Sequence, residues 1–268
     1  MNVHPVIRRE YSIDMVPTRE ILGVDVAPLS TPMACAELEA RIDQKRFTRI
    51  AFLNAHVSNL AAMKPAFRET LRDFMVFADG VGVDIASRML HGETFPDNLN
   101  GTDFVPSLLA FLKRPVKVAL LGSRRESVEG AAERFAEIAP FHRYIVVSDG
   151  YFDAAKEQAI LETLEAERPD ILLIAMGVPK QEEWIARNLS GRHCTLAFGV
   201  GALFDLTTGV IPRAPLWVRR ARSEWVWRLM REPRRLFRRY VIGNPMFLAR
   251  LGVALLFGAR SKRVSAGA

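Results

Sequence analysis

Residues 171–182 read Ile-Leu-Leu-Ile-Ala-Met-Gly-Val-Pro-Lys-Gln-Glu, an apolar run that ends in a glycine turn and leads into a helix start. A short apolar run of this kind is typical of a strand buried on both faces. Proline is common near the first helical turn, because its missing N–H has no helical partner there. The same pattern recurs along the chain. It predicts βαβ units and therefore an α/β fold, with a Rossmann-like, mostly parallel sheet covered by helices.

Seven apolar runs are predicted as strands: Ile21–Val26, Ile50–Leu53, Met75–Ala78, Val116–Leu121, Tyr144–Val147, Ile171–Met176 and Thr195–Phe198. Seven segments are predicted as helices: Pro32–Gln44, Val57–Phe74, Val83–His91, Phe104–Leu112, Ser127–Ile138, Ala154–Glu167 and Lys180–Leu189. The strand pattern stops beyond about Gly209. We therefore predict an α/β core over residues 1–212 and a basic, aromatic-rich helical appendage over residues 213–268.

The charge of the chain is concentrated in this appendage. From Arg213 onward there are fourteen Lys and Arg against two acidic residues, a local charge of +12, so the first 212 residues carry −5. Such asymmetry indicates an anionic partner: a phosphorylated ligand, an anionic membrane surface or nucleic acid. Charge alone does not choose among the three. The basic residues are nearly all Arg, which matches phosphate oxygens, and the aromatic residues among them suit a membrane interface.

The composition predicts the cellular compartment, but it does not decide whether the last apolar segment lies on a membrane or packs on the core. Cys35 and Cys194 lie far apart without metal-like spacing, and no apolar signal segment follows the polar start, which predicts a reducing cytosolic compartment. No stretch is expected to span a membrane, because Val241–Gly258 is interrupted by glycine, proline and Arg250. This segment either lies on an anionic bilayer or packs on the core as an ordinary helix.

Candidate site residues follow the predicted strands, where the carboxyl ends of a parallel sheet place ligands. Asp79 ends an apolar run beside Gly80, so its carboxylate can act as a general base toward a sugar hydroxyl, or it can cap the next helix. Asp103 can equally cap the helix that starts at Phe104. After Gly177, the helix start with Lys180 favours an anion, and the neighbouring Gln181 can hydrogen-bond a sugar or base.

Several common sites are excluded by spacing. The run that starts at Gly199 matches only the first two glycines of a dinucleotide fingerprint and places Phe204 at the third small position. The chain has no P-loop, and its five His are scattered without an Asp-x-Asp pair. We therefore expect no metal site and no cofactor. A diphosphate ligand would have to be held by arginines instead.

Taken together, these residues resemble the WecG/TagA/CpsF family of glycosyltransferases from about Leu22 to Tyr240. The matching blocks, in the family's order, are Asn54, Ala78–Gly80, Gly101–Asp103, Leu121–Gly122, Asp149–Phe152, Pro169–Leu172, Gly177–Glu182, Gly199–Asp205, Arg213–Pro215, Glu224–Trp225 and Glu232–Arg235. The most specific blocks are the Pro-Lys-Gln-Glu run at Pro179–Glu182 and the two later blocks Glu224–Trp225 and Glu232–Arg235.

The resemblance implies an inverting, metal-independent enzyme that moves a hexose or N-acetylhexosamine from a UDP-sugar to a sugar on undecaprenyl diphosphate. It implies a role in bacterial exopolysaccharide or cell-surface polysaccharide synthesis and a peripheral location on the inner face of the plasma membrane. We expect no nucleic-acid partner, and a homo-oligomer is left open. The alternatives are a non-enzymatic basic-tailed adaptor for membrane or nucleic acid, and a nucleotide-linked oxidoreductase.

Residue roles are carried over from the same resemblance. Asp79 resembles the base and Gln181 a residue near the transferred sugar. The remaining predicted substrate-binding residues are Asn54, Asp103, Gly122, Gly177, Lys180, Gly199 and the arginines Arg228, Arg235 and Arg238. Phe52 departs from the family, where a hydroxyl residue often stands two positions before the asparagine. The donor sugar is therefore left open.

Overall fold

The computed structural model of the protein describes residues 16–215, 217–218 and 223–265. The parts of the predicted core and appendage at residues 1–15, 216, 219–222 and 266–268 lie outside the described residues.

The first predicted strand is a small hairpin instead. Strands β1 Arg19–Ile21 and β2 Val24–Val26 pair antiparallel in a sheet of their own. Leu22 and Gly23 reverse the chain with φ values of 51° and 87°. Two successive residues with positive φ make the tight turn that joins hairpin strands. The prediction of one strand over Ile21–Val26, belonging to the parallel sheet, was therefore wrong.

The main sheet has six strands in the order β4-β3-β8-β7-β5-β6, and every neighbouring pair is parallel. The strands are β3 Thr48–Leu53, β4 Phe74–Ala78, β5 Lys117–Gly122, β6 Arg143–Ser148, β7 Ile171–Ala175 and β8 Leu196–Gly199. The α/β prediction with a mostly parallel sheet is confirmed. All six carboxyl ends lie along one edge, because parallel strands share a direction.

Helices connect the strands and cover both faces of the sheet. The core helices are α1 Thr31–Asp43, α2 Ala55–Met63, α3 Pro65–Leu71, α4 Val81–His91, α5 Gly101–Phe111, α6 Arg125–Ile138, α7 Ala154–Glu167, α8 Lys180–Asn188 and α9 Leu203–Thr207. The helix predicted over Val57–Phe74 is broken into α2 and α3. The break falls at Pro65, which has no N–H to continue the first helix and opens the second.

The appendage is helical. Helix α10 Glu224–Arg231 is followed by α11 Pro233–Phe237, a π-helical turn Arg238–Ile242 and α12 Gly243–Ser265. Pro233 starts a new helix rather than continuing the one before. A π-helical turn inserts an extra residue into the helical period, so it changes which side chains face the core.

The appendage packs on the core through α12. Phe247 and Leu251 are 1 % exposed and belong to the apolar layer between the sheet and helices α2 and α4. The Asn59 side chain donates to the Gly243 carbonyl at 2.7 Å, and Arg250 donates to the Ser58 carbonyl and Asn59 Oδ1 at 3.0 Å each. The guanidinium that interrupts the apolar segment is thus satisfied by α2.

The expectation that no stretch is long and apolar enough to span a membrane was wrong for the last part of the chain. Residues Pro233–Phe257 form a continuous helical stretch of 25 residues, within which an 18-residue window has a mean hydropathy of 1.5, so the stretch is long and apolar enough to cross a bilayer by length and composition only. The interruptions do not stop the helix, because Pro245 lies within its first turn and the carbonyl it leaves unpaired belongs to the π-helical turn. Core helices of soluble proteins can have the same length and composition.

Strands β5 and β7 approach closely at the carboxyl edge, and a substitution at Gly122 tests this approach. Its φ is +115°, and a Cβ added there would lie 2.5 Å from the Ala175 carbonyl oxygen. Gly92 has a φ of +85° but no atom within 4 Å of an added Cβ. We expect Gly122→Ala to lower the free energy of unfolding in urea by about 3 kcal/mol or more, and Gly92→Ala by only about 1 kcal/mol. Equal losses would show that no backbone clash exists at Gly122.

Candidate functional site

A cleft of about 1560 Å³ opens along the carboxyl edge of the sheet and is closed on one side by the appendage. It is lined by residues from the loops after all six strands of the main sheet. Ten predicted site residues line it: Asn54, Asp79, Asp103, Gly177, Lys180, Gln181, Gly199, Arg228, Arg235 and Arg238. Gly122 is not among the lining residues. It lies against Ala175, and the following Ser123 reaches the cleft instead.

Asn54 and Asp79 form a pair at the ends of two neighbouring strands. Leu53 of β3 is paired with Ala78 of β4, so the next residues lie side by side. Asn54 Nδ2 donates to Asp79 Oδ2 at 2.9 Å, and Asn54 Oδ1 accepts from the Val57 N–H, which caps α2. Helix α4 has Gly80 at its N-cap without a side-chain cap. Asp79 therefore does not act as a helix cap, and its carboxylate is held toward the cleft by Asn54.

The surroundings of Asp79 shift its pKa upward. Burial is the main cause, while the hydrogen bond from Asn54 and the charges of Arg239 and Arg228 act in the opposite direction. A carboxylate with a raised pKa is a stronger base, and proton transfer to it from a hydroxyl is more favourable. The geometry thus gives Asp79 the chemical character that a general base requires.

Asp103 ties the start of the appendage to the core. Its Oδ1 accepts from Arg213 at 2.7 Å, and its Oδ2 accepts from Asn100 Nδ2 at 3.0 Å. The cap of α5 is Asn100, whose Oδ1 accepts the Asp103 N–H. The predicted alternative of Asp103 as the helix cap was therefore wrong. Its contact with Arg213 positions residues that lead into the arginine-rich helices.

The predicted arginines occupy different surroundings within the cleft. Arg235 is exposed and forms an ion pair with Glu232 at 2.5 Å. Arg238 is exposed. Arg228 is half-buried, and its Nε is buried without a hydrogen-bond partner among the described residues. Arg228 is also one of two cations whose charge lowers the Asp79 pKa.

The second such cation is Arg239, which the sequence interpretation missed. Its Nε is likewise buried without a partner in the described part of the chain, and its charge acts on both Asp79 and His56. In one straight helix, Arg238 would lie on the same face as Arg228 and Arg235. The break at Pro233 and the π-helical turn that starts at Arg238 change this period, so that the half-buried Arg239 faces the carboxylate instead.

The positive charges of Arg228, Arg235 and Arg239 repel one another. Burial lowers the Arg239 pKa, and the charges of Arg228 and Arg235 lower it further, whereas Asp79 raises it. Trp225 of α10 packs against Tyr240 of the π-helical turn, with ring centroids 5.9 Å apart. That contact joins the two helices that carry Arg228 and Arg239. An anion bound between these guanidinium groups would satisfy their free donors and relieve the repulsion.

Gln181 connects the loops after β7 and β8. Its Oε1 accepts from the N–H groups of Gly177 at 3.1 Å and Gly201 at 3.0 Å, and its Nε2 donates to Glu182 Oε1 at 2.8 Å. Gly199 leaves room for this network, since an added Cβ would lie 2.8 Å from Gln181 Nε2. Only one Nε2 hydrogen is left for a ligand. The predicted place of Gln181 beside the transferred sugar stays a prediction, and its contacts favour a positioning role.

Glu182 is a second residue that the sequence interpretation did not select. The residue is 2 % exposed, and its Oε2 has no hydrogen-bond partner among the described residues. Burial raises its pKa to about 7, against the effect of the hydrogen bond from Gln181. The only sequence signal was its place in the Pro-Lys-Gln-Glu block.

The opposite end of the cleft, under the loops after β5, β6 and β8, is polar. Ser123 has a left-handed φ of 58°, and its Oγ donates to Asp205 Oδ1 at 2.7 Å. Lys180 lies 5.8 Å from the centre of the Phe152 ring, and Tyr151 is an exposed aromatic residue at the same end. Ring faces, a carboxylate and an ammonium group together suit a nucleotide.

Phe52 forms an apolar floor beneath the Asn54–Asp79 pair. It is 8 % exposed, and its ring centre lies 6.1 Å from that of Phe77, the residue paired with it on β4. A Cβ added to Gly101 would lie 3.1 Å from the Phe52 ring. The position offers no hydroxyl for hydrogen bonding to a sugar. Among the described residues, no three His, Cys, Asp or Glu side chains lie together in a metal-binding group.

Comparison with known proteins extends over most of the chain. The sequence profile of the glycosyl transferase WecG/TagA/CpsF family matches residues 19–261. A protein of Staphylococcus aureus (strain MW2) named N-acetylglucosaminyldiphosphoundecaprenol N-acetyl-beta-D-mannosaminyltransferase is 28% identical over 244 residues, which cover 88% of this chain and 92% of that protein. A Bacillus subtilis (strain 168) protein of the same name is 26% identical over 194 residues, covering 72% of this chain and 75% of its own.

The pKa of His56 tests the position of Arg239. Burial, and secondly the charge of Arg239, lower this pKa to about 4. We expect Arg239→Gln to raise the His56 pKa, because a nearby cation that disfavours the imidazolium is removed. Proton NMR of the imidazole resonances against pH measures it, and the signal lost in His56→Asn assigns it. The adjacent exposed Arg238→Gln should leave the His56 pKa unchanged. Equal shifts in the two variants would contradict the inward position of Arg239.

Proposed function

The chain belongs to the WecG/TagA/CpsF family of glycosyltransferases, and on that premise we propose that it transfers a hexose or N-acetylhexosamine from a UDP-sugar to a sugar carried on undecaprenyl diphosphate. The observation that carries this proposal is the half-buried Asn54–Asp79 pair beside two guanidinium groups whose buried Nε donors have no partner among the described residues. The named relatives act on a diphosphoundecaprenol-linked sugar. Membership of an enzyme family argues against a non-enzymatic adaptor and against an oxidoreductase.

The proposed reaction is a single displacement with inversion. The Asp79 carboxylate takes the proton of the acceptor hydroxyl while that oxygen forms a bond to the anomeric carbon of the donor sugar. The bond from the anomeric carbon to the UDP oxygen breaks, and UDP leaves with the electron pair. Asn54 holds the carboxylate through its 2.9 Å hydrogen bond. Attack opposite to the leaving group inverts the anomeric centre.

The leaving diphosphate gains negative charge, and Arg228 and Arg239 are placed to stabilise it. In a cleft partly screened from water, fixed guanidinium donors stabilise developing charge strongly. They can supply the charge that a divalent cation supplies in other transferases, and metal-independent transfer is therefore part of the proposal. The polar end of the cleft, with Tyr151, Lys180 and Asp205, would take the nucleoside.

We place the protein at the inner face of the plasma membrane, where a lipid-linked acceptor would be found. Helix α12 buries Phe247 and Leu251 on the core but exposes Val253, Leu256 and Phe257. A helix that packs on the core with one side and presents apolar residues on another is suited to lie on a bilayer. The product would be a precursor of a bacterial surface or exported polysaccharide.

Release of UDP tests the proposed reaction. A panel of UDP-sugars is incubated in EDTA, with and without N-acetylglucosamine or glucose linked through diphosphate to a short prenyl chain. We expect one donor to give UDP release that depends on the acceptor and persists in EDTA, because the arginines replace a metal ion. Absence of release with every pair, together with no UDP binding by calorimetry, would refute the proposal.

Two Asp→Asn variants are matched controls for the base. Asp79→Asn should lower kcat by about a thousandfold, because the proton acceptor is lost, while UDP affinity stays within a few-fold. Asp73 is an exposed carboxylate that pairs with Arg49 outside the cleft. Asp73→Asn should leave both quantities unchanged. Retained turnover in Asp79→Asn would remove the base assignment.

A further inference from the structure

The two ends of the cleft differ in chemistry. One end is the polar region under the loops after β5, β6 and β8. The other end lies between α4 and the appendage, and apolar side chains form its wall: Val81, Ile85, Val241, Pro245 and Leu248. We call these five residues the apolar wall. It begins two residues after Asp79, at the first turn of α4.

The apolar wall is formed by α4 on one side and by the π-helical turn and α12 of the appendage on the other. A Cβ added to Gly82 would lie 3.7 Å from the Phe247 ring and 3.7 Å from the Ala55 side chain. The first turn of α4 therefore lies close to the Phe247 ring of α12 and to the start of α2. Ile85 lies one turn further along α4, and Leu248 directly follows the buried Phe247. The wall is thus continuous across the interface between core and appendage.

The wall is left open by the described part of the chain. Ile85 is 41% exposed, Val241 42% and Leu248 50%. Exposed apolar groups that adjoin a cationic cleft indicate an amphiphilic ligand, with its anionic part at the guanidinium groups and its apolar part on the wall. A sugar nucleotide has no apolar part of this length. A lipid diphosphate has both.

We propose that the apolar wall binds the first isoprene units of a polyprenyl diphosphate. This assignment rests on the proposed function, since the acceptor there is a sugar on such a lipid. The acceptor sugar would lie at Asp79 and its diphosphate beside the exposed Arg235 and Arg238, which leaves Arg228 and Arg239 for the diphosphate of UDP. The prenyl chain would leave the cleft along Ile85 and Leu248. The same wall directs the remaining chain toward the exposed side of α12.

Binding of soluble prenyl diphosphates tests the wall without any turnover. Calorimetry compares isopentenyl diphosphate with farnesyl diphosphate, each below its critical micelle concentration and without detergent. We expect farnesyl diphosphate to bind about tenfold more tightly or better, because its longer chain buries more apolar surface. Ile85→Gln and Leu248→Gln should remove most of this difference, because they lower the affinity for farnesyl diphosphate more than the affinity for isopentenyl diphosphate.

Leu256→Gln is the matched control. Leu256 is on the same helix and 71% exposed, but it does not line the cleft. Leu256→Gln should keep the preference for farnesyl diphosphate. If the prenyl chain instead adhered to any exposed apolar surface, Leu256→Gln would lower this preference as much as Leu248→Gln does. Equal affinity for the two ligands, binding of neither, or equal losses in Leu248→Gln and Leu256→Gln would overturn the assignment. A failed UDP-release assay with an intact chain-length preference would instead refute only the proposed reaction.

Discussion

Two half-buried arginines beside one half-buried carboxylate set the main constraint on this molecule. Arg228 and Arg239 each keep a buried Nε without a partner among the described residues, and Asp79 is the carboxylate that their charges act on. Burying cationic donors without acceptors costs free energy. The arrangement therefore persists only because other contacts hold it. Those contacts are Phe247 and Leu251 in the core layer, and the hydrogen bonds from Asn59 and Arg250.

The core and the appendage contribute different parts of one site. The parallel sheet places Asn54 and Asp79 side by side, since β3 and β4 end at the same level. The core also supplies Lys180, but all the arginines that line the cleft come from the appendage. The appendage supplies these arginines and three of the five residues of the apolar wall, namely Val241, Pro245 and Leu248. Asp103 and Arg213 join the two parts near the start of the appendage.

Much of this arrangement could be predicted from the sequence. Strands such as Ile171–Ala175 are short apolar runs followed by turns, and such runs carry a strong local signal. Asn54 and Asp79 could be predicted as site residues because each follows such a run. The hairpin at Leu22 and Gly23 could not, since its turn depends on two positive φ values that an apolar run conceals. Arg239 was missed because a π-helical turn alters the helical period without any mark in composition. The contacts of Gln181 were also hidden, because they join loops that are distant in sequence.

The structure of the protein with bound UDP tests the central claim most directly. The account predicts that oxygens of the diphosphate lie within about 3 Å of guanidinium nitrogens of both Arg228 and Arg239, so that their free donors are used. Asp79 should remain bonded to Asn54, with its second oxygen open toward the acceptor side. A diphosphate held only by the loops after β5 and β8, with both guanidinium groups unengaged, would contradict it.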